Sequence, residues 1–359
     1  MRYIRDVNPY MKRLSVVVAV LFTTVFSFAQ EQKFADIGDF KLESGEVIRE
    51  CRIGYRTFGK LNADKSNVIL FPTWAGGTTE QLAGGNIGPG KIANADKYYV
   101  IAVDALSNGV STSPSNSTFQ SRMKFPKITI RDMVNTQHHL LTNMLGITHV
   151  KAVMGISMGG MQTFEWMIAY PDFMDNAIPI VGTPRQDTYD MLHWQAQIDA
   201  ITNDPAWKNG EYEENPARVA NAQFGMLLLT TPENFNKTHT REQLAKELAD
   251  AKNSPGQDCN NKIRQTEAMM TLDIAKHFGG SMEQAARAVK AKVLVIVATH
   301  DHVVTPGPAR EFAKLLDAPV VELTGECGHQ APGCEEVKVK AAIEHTLTWA
   351  DEFIHTIAK

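Results

Sequence analysis

Short runs of apolar residues recur along the chain, each followed by a turn or by a helical pattern. The runs lack the polar and apolar alternation of half-buried strands, which is typical of strands buried on both faces of a sheet. In the helical stretch from Ile130 to Leu145 the apolar residues share one face, and Gly146 follows as a C-cap. Alternating strands and helices predict an α/β fold with a mostly parallel sheet flanked by helices. The predicted strands are Asn67–Phe71, Tyr98–Val103, Lys151–Met154, Ala177–Val181, Lys292–Val297 and Pro319–Leu323.

The alternation stops between about Pro184 and Ala291, where no apolar run resembles a buried strand. This segment carries turn clusters and helical stretches such as Thr240–Lys252. Because core strands bound it on both sides, an insertion is favoured over the alternative of a separate second domain. We therefore expect a core over residues 30–184, a helical lid over 185–290, and the remaining core over 291–359.

The first 29 residues have the form of a secretory signal peptide. Basic residues precede an apolar run, Leu14–Ala29, which ends on small residues. The run is shorter than the roughly 20 residues needed to span a bilayer, which favours cleavage over the alternative of a retained anchor. Met11 is an alternative start. We expect a periplasmic or secreted protein with no stable membrane insertion after cleavage.

The charge balance limits the partners. Removal of residues 1–29 takes away four basic groups and one acid, and changes the net charge from −4 to −7. An acidic chain argues against binding to nucleic acid. A content of 43% hydrophobic residues also excludes a disordered chain. Of the classes considered, a globular protein that acts on a small molecule is the one left.

Four cysteines in an exported chain permit disulfides. Cys327 and Cys334 flank one short loop, so their pairing is the first choice, and a Cys51–Cys259 bridge follows by default. Free buried thiols are the alternative. No pair has the CxxC spacing of a structural zinc site, so no metal is expected.

The sharpest motif is Gly155-Ile156-Ser157-Met158-Gly159, which follows a predicted strand and opens a helical pattern. A G-x-S-x-G sequence in this context is typical of a nucleophile elbow. The turn holds the serine in a strained conformation that exposes its hydroxyl, and a Cβ at either glycine would collide with neighbouring backbone. Ser157 is therefore the candidate nucleophile, against the alternative of a packing turn.

A serine hydroxyl needs a base, and the base needs an acid that fixes its tautomer. Asp301 follows the Lys292–Val297 strand, and His329 follows the Pro319–Leu323 strand, in the chain order expected for this elbow. His300 and His302 flank the acid, but no third ligand cluster accompanies them. We interpret them as polar neighbours of the acid rather than metal ligands.

Acyl chemistry also needs donors aimed at the developing oxyanion. The backbone N–H of Met158, at the start of the elbow helix, is one. The loop after the Asn67–Phe71 strand should supply the second, from Trp74 or Ala75.

Three blocks of sequence resemble homoserine O-acetyltransferases of the α/β-hydrolase fold: Tyr55–Asn62, Phe125–Val134 and Ser157–Gln162. The resemblance implies that Ser157 accepts the acyl group, with Asp301 and His329 as its relay and Trp74 and Met158 as oxyanion donors. It also implies a homodimer through the lid and no cofactor.

The chain departs from that family where the amino-acid substrate should bind. The family's lid arginine and tyrosine correspond to Ala222 and Leu229, and the aspartate after its catalytic histidine corresponds to Gln330. Loss of these contacts predicts poor affinity for free homoserine. Another arginine, Arg185 or Arg218, could substitute.

These departures, with the signal peptide, favour an exported serine hydrolase acting on a small carboxylic ester or thioester. An acyltransferase using acyl-CoA or another donor, with a different and less charged acceptor, is the alternative. A binding protein that retains only the fold is the third hypothesis.

Overall fold

A mixed sheet forms the centre of the computed structural model, which describes residues 30–348. Within these residues the strand order is β1-β2-β6-β3-β7-β8-β10-β11, with β9 also beside β8. The β1–β2 and β2–β6 pairs are antiparallel, and the remaining pairs are parallel. The strands are β1 Lys33–Lys41, β2 Val47–Phe58, β3 Val68–Pro72, β4 Ile87–Gly88, β5 Ala93–Asn94, β6 Tyr99–Val103, β7 Val150–Ile156, β8 Met174–Ile180, β9 Lys292–Val293, β10 Val295–Ala298 and β11 Val320–Leu323.

The six strands predicted from apolar runs are confirmed, with the last but one divided into β9 and β10. The β3 strand is buried along its whole length, as expected for a central parallel strand. The sequence did not reveal β1 and β2. These strands mix exposed and buried positions: β1 contributes Ala35 to the core, and β2 contributes residues such as Ile48 and Ile53.

Helices cover both faces of the sheet. On one face α2, α3 and α10 contribute Met133, Phe164 and Phe312 to one apolar cluster. On the other, α1 and α12 contribute Leu82 and Ile343 to a second cluster. The α/β prediction is confirmed. The helices are α1 Thr79–Gly85, α2 Ile130–His139, α3 Met158–Ala169, α4 Thr188–Thr202, α5 Arg218–Leu228, α6 Pro232–Thr238, α7 Arg241–Ala251, α8 Cys259–Met270, α9 Met282–Ala288, α10 Gly307–Leu315, α11 Ala331–Cys334 and α12 Glu336–Thr348.

Residues 185–290, called the lid segment below, contain helices α4–α9 between β8 and β9. The stretch predicted as Thr240–Lys252 forms α7, with Thr240 as its N-cap. Helix α8 is fixed to the core, because Arg264 donates hydrogen bonds to the carbonyl oxygens of Met123 and Phe125. Helices α5 and α6 bury no residue completely. The lid segment is thus anchored at α8 and loosely packed at α5 and α6.

The cysteines follow the sequence prediction for one pair only. Cys327 and Cys334 form a disulfide, as expected. The Cys51–Cys259 bridge is wrong: both are free buried thiols. Cys51, on β2, packs in the main core, whereas Cys259 lies in a separate apolar cluster of the lid segment with Ile263.

Two predictions concern residues that lie outside the described range: the signal peptide over 1–29, and the end of the core over 349–359. Within the described residues, no helix has the length and apolar character required to cross a membrane.

Candidate active site

Ser157 lies in a sharp turn between β7 and α3, with φ of 58° and ψ of −122°. A residue with a side chain rarely adopts a positive φ, so the turn is strained. A Cβ at Gly155 would lie 2.3 Å from the carbonyl oxygen of Gly159, and a Cβ at Gly159 would lie 2.6 Å from the carbonyl oxygen of Pro72. The expected need for both glycines is confirmed.

A continuous hydrogen-bonded chain joins Ser157, His329 and Asp301. The Ser157 Oγ lies 2.8 Å from His329 Nε2, and His329 Nδ1 lies 2.7 Å from Asp301 Oδ2. His329 lies in a helical turn after β11, and Asp301 follows β10. The sheet thus brings together three side chains that are distant in sequence, with all three buried. The geometry lets Nδ1–H donate to Asp301 while Nε2 accepts the serine proton.

Asp301 is held by backbone amides as well as by the histidine. Its Oδ1 accepts hydrogen bonds from the N–H groups of Val303 and Val304, at 2.8 and 3.0 Å. The lid segment supports the same loop from its first helix, α4. His193 Nε2 lies 2.8 Å from the Val303 carbonyl oxygen, and Asp190 accepts hydrogen bonds from the N–H and hydroxyl of Thr305.

Burial perturbs Asp190, the second carboxyl group close to the triad. Loss of hydration raises the pKa of Asp190 to about 6, against the opposing hydrogen bonds from Thr305. The nearby Asp301 charge also raises this pKa. Asp190 therefore titrates close to neutral pH and contacts the loop that carries the triad acid.

The loop of His329 is fixed on two sides. The Cys327–Cys334 disulfide closes it, and the Gln330 N–H donates to the carbonyl oxygen of Leu229 in the lid segment at 3.2 Å. Thr231 donates a second hydrogen bond from the lid segment to the Glu326 carbonyl oxygen. The position of the histidine depends on both the core and the lid segment.

The buried side chain of Gln162 connects the two backbone segments that carry the expected oxyanion donors, Trp74 and Met158. Gln162 Nε2 donates to the carbonyl oxygens of Thr73 and Met158, at 3.1 Å each. Within residues 30–348 the N–H groups of Trp74 and Met158 donate to no protein acceptor. Gln162 thus joins the two backbone segments whose amide protons remain available. The sequence did not assign it this role.

Ser157 and His329 open on a cavity of about 490 Å³, called the catalytic cavity below. It lies between the core and helices α4, α5 and α8 of the lid segment. Its lining is largely apolar, with several neutral polar groups. The lining residues are Trp74, Ala75, Ile156, Ser157, Trp194, Gln197, Asn221, Phe224, Gly225, Leu228, Leu229, Gln257, Lys262, Gln265, Thr266, Met269, Val303, His329 and Gln330.

The pocket candidates divide into two groups. Leu229 and Gln330 line the catalytic cavity, but Ala222 lines an adjacent cavity of about 270 Å³. Arg185 lines a different cavity and forms an ion pair with Asp273 at 3.0 Å. Arg218 pairs with Glu214 and also lies outside the catalytic cavity. Neither arginine lines the catalytic cavity, but Arg218 lines the adjacent cavity together with Ala222 and Lys262.

Lys262 on α8 lines the catalytic cavity and was not singled out from the sequence. Its side chain donates to Asn221 Oδ1 at 2.9 Å. Burial lowers the pKa of Lys262 to about 8. A lysine in a polar helical stretch resembles any solvated residue, so no sequence signal separated it from its neighbours. Among residues 30–348, no group of three or more His, Cys, Asp or Glu side chains is arranged to hold a metal ion.

A family model described as the alpha/beta hydrolase fold matches residues 67–332. The chain belongs to the α/β-hydrolase family. This α/β-hydrolase is 36% identical over 293 residues to an ethyl acetate hydrolase of Pseudomonas veronii, covering 78% of the chain and 84% of that relative. It is 32% identical over 313 residues to a homoserine O-acetyltransferase of Geotalea daltonii, covering 77% and 85%.

Among solved structures, an acetylester hydrolase from Corynebacterium glutamicum superimposes with a TM-score of 0.81 at 28% identity, covering 89% of this chain and 99% of that one. The resemblance to homoserine O-acetyltransferases is confirmed. The α/β-hydrolase described here is a divergent relative of both groups, an enzyme of ester hydrolysis or acyl transfer.

Proposed function

We propose that the protein is an exported serine hydrolase that cleaves a carboxylic ester or thioester through an acyl-Ser157 intermediate. The observation that carries this proposal is the unbroken Ser157–His329–Asp301 hydrogen-bonded chain at the floor of the catalytic cavity. It supplies a nucleophile, a base and an orienting acid in one geometry.

Each residue has a defined step. His329 Nε2 takes the Ser157 proton as Oγ attacks the acyl carbon, and the N–H groups of Trp74 and Met158 donate to the resulting oxyanion. His329 then protonates the departing alcohol or thiol, leaving the acyl group on Oγ. A water molecule, deprotonated by His329, attacks this ester, and Ser157 recovers its proton. Asp301 remains ionised throughout and stabilises the imidazolium.

Two observations favour hydrolysis over transfer to homoserine. The positions of the family's arginine and tyrosine are Ala222 and Leu229, and Arg185 and Arg218 lie outside the catalytic cavity. The relatives include an ethyl acetate hydrolase, which favours a short acyl group such as acetyl. The homoserine O-acetyltransferase relatives favour the second candidate, acyl transfer to another acceptor.

An ester panel on the mature protein tests the proposal. We expect turnover of ethyl and 4-nitrophenyl acetate with a burst of alcohol release, and labelling of Ser157 by a fluorophosphonate probe. Ser157→Ala should lose both, whereas Ser44→Ala, a change at an exposed serine, should retain them. Absence of turnover and of labelling in folded protein contradicts the proposal and revives the binding-protein hypothesis. Transfer to an added alcohol or amine well above hydrolysis, or turnover of acetyl-CoA with homoserine, favours the acyltransferase.

Export and assembly are further parts of the proposal. The Leu14–Ala29 run and the Cys327–Cys334 disulfide both support an oxidising compartment. Exposed apolar side chains on α4 and α5, including Leu192 and Leu227, support a homodimer through the lid segment. Cell fractionation with N-terminal sequencing tests the first, and sedimentation equilibrium tests the second.

A further inference from the structure

Lys262 is a partly buried cation that pairs with no acidic side chain of the described residues. It lies on α8 and lines the catalytic cavity together with Ser157 and His329. Its ammonium group has three donors, and within the described residues the one side chain that accepts from it is the neutral amide of Asn221. No aspartate or glutamate is among the described residues that line this cavity.

Placing the Lys262 ammonium group away from water costs free energy, and a purely structural role does not explain that cost. A buried ammonium group loses hydration, which is why its pKa falls to about 8, and an apolar residue of similar length would avoid that loss. At pH 7 the group is still mostly protonated, since the pH lies below the pKa. The catalytic cavity therefore carries a positive charge, and among residues 30–348 no acidic side chain pairs with it.

Other donors in the catalytic cavity lack acceptors as well. Trp194 Nε1 and Gln257 Nε2 are buried without a hydrogen-bond partner in the described part of the chain. Both residues line the same cavity as Lys262. Unpaired buried donors are costly and usually indicate a missing acceptor. A negatively charged group rich in acceptor oxygens would satisfy these donors together with the Lys262 ammonium group.

We propose that Lys262 binds a carboxylate carried by the substrate, so that the enzyme prefers esters with an anionic group over neutral esters of the same shape. This inference rests on the proposed hydrolysis at Ser157, which it makes more specific. Space for such a group is available. Lys262, Asn221 and Gln257 line both the catalytic cavity and the adjacent cavity of about 270 Å³.

Paired substrates test the charge alone. Monoethyl succinate, glutarate and adipate differ from ethyl butanoate, pentanoate and hexanoate only by a carboxylate in place of a terminal methyl group. A second pair, 4-acetoxybutanoate and butyl acetate, places the carboxylate on the leaving alcohol. We expect kcat/KM for one anionic substrate to exceed that of its neutral partner by about tenfold to a hundredfold, mainly through KM.

Variants assign the preference to Lys262. Lys262→Met should bring the ratio of anionic to neutral kcat/KM close to one, and Trp194→Phe should reduce it by a smaller factor. Lys246→Met, at an exposed lysine of α7, should leave the ratio and the activity unchanged. If Lys262→Met fails to fold, the wild-type ratios and their pH dependence still decide the question.

The pH dependence of the ratio gives an independent readout. The ratio should fall as the pH rises above about 8, because Lys262 then loses its charge. The triad acts equally on both members of a substrate pair, so its own pH dependence cancels in the ratio. Among the described residues, the titratable group whose charge acts on Lys262 is the Cys259 thiol, whose pKa burial raises to about 11.

The outcomes separate the two proposals. Normal hydrolysis of the neutral esters with ratios near one in every pair overturns the role of Lys262 and leaves the hydrolase intact. A high ratio that persists in Lys262→Met also overturns it. Absence of turnover with every ester, neutral or anionic, overturns the hydrolase itself.

Discussion

The two walls of the catalytic cavity are built by different means. On the core side, Ser157, Asp301 and His329 each follow a parallel strand and are held by glycine contacts, backbone amides or a disulfide. On the lid side, α5 buries no residue completely, and its Leu227 is 71% exposed. The proposed nucleophile, acid and base thus lie at strand ends of the core, whereas the opposite side of the cavity belongs to a segment with few buried contacts.

The largest expected effect comes from changing one buried carboxylate behind each side of the catalytic cavity, Asp301 in the core and Asp190 in the lid segment. Asp301→Asn should lower kcat by about 10³- to 10⁴-fold, because the amide no longer holds the histidine in its productive tautomer. Asp190→Asn, in the lid segment, should lower kcat by less than about tenfold. Steady-state kinetics on one neutral ester measures both, and equal losses contradict the division between the two walls.

Alanine substitutions at Gly159 and Gly225 compare how tightly the core side and the lid side of the catalytic cavity are packed. Gly159→Ala should destabilise the protein by about 2–4 kcal/mol, because its Cβ meets the Pro72 carbonyl oxygen. Gly225→Ala on α5 should stabilise it by about 0.5–1 kcal/mol, since its Cβ has room, the nearest atom being 3.8 Å away, and alanine favours a helix. Urea unfolding measures both. A destabilising Gly225→Ala would show that α5 is as tightly packed as the elbow.

Substitution of two glutamines distinguishes an effect on oxyanion geometry from an effect on substrate binding. Gln162→Leu should lower kcat by about ten- to a hundredfold, because the Thr73 and Met158 carbonyl groups lose the donor that aligns their neighbouring amides. Gln197→Leu, on the lid wall of the catalytic cavity, should change KM more than kcat. Retained kcat in folded Gln162→Leu argues against the positioning role of Gln162.

The contact between the walls should respond to pH. The raised pKa of Asp190 means that the folded protein binds this proton more tightly than the unfolded chain. Asp190 therefore lowers stability as the pH rises from about 4 to about 6, and the loss is complete above the folded pKa. Relative to wild type, Asp190→Asn should gain about 1–3 kcal/mol of stability between pH 4 and pH 7. Parallel unfolding curves across that range would contradict this assignment.

The core side of the catalytic cavity could be predicted from sequence because short local patterns specify its strands and its elbow turn. Central parallel strands are continuous apolar runs, and the elbow needs glycines at fixed positions around Ser157. Chain order then limits the acid and base to Asp301 and His329. The edge strand β1 and its neighbour β2 were missed because exposed positions interrupt their apolar pattern.

The lid wall could not be predicted in the same way. Its helices were expected, but the residues that line the catalytic cavity depend on how those helices cross the sheet. An alignment of Ala222 with the family's arginine says which charge is absent, but does not identify Lys262, which enters from another helix. The Cys51–Cys259 pairing failed for a similar reason, since elimination ignores which cluster buries each thiol.

The positive φ of Ser157 lowers stability at the same residue at which it is proposed to favour activity. Glycine adopts this conformation without penalty, so a chain selected for stability alone would place glycine there. Serine occupies the position because the strain directs its hydroxyl into the catalytic cavity. Under the proposed mechanism, the backbone strain therefore costs stability at the residue that reacts with the substrate.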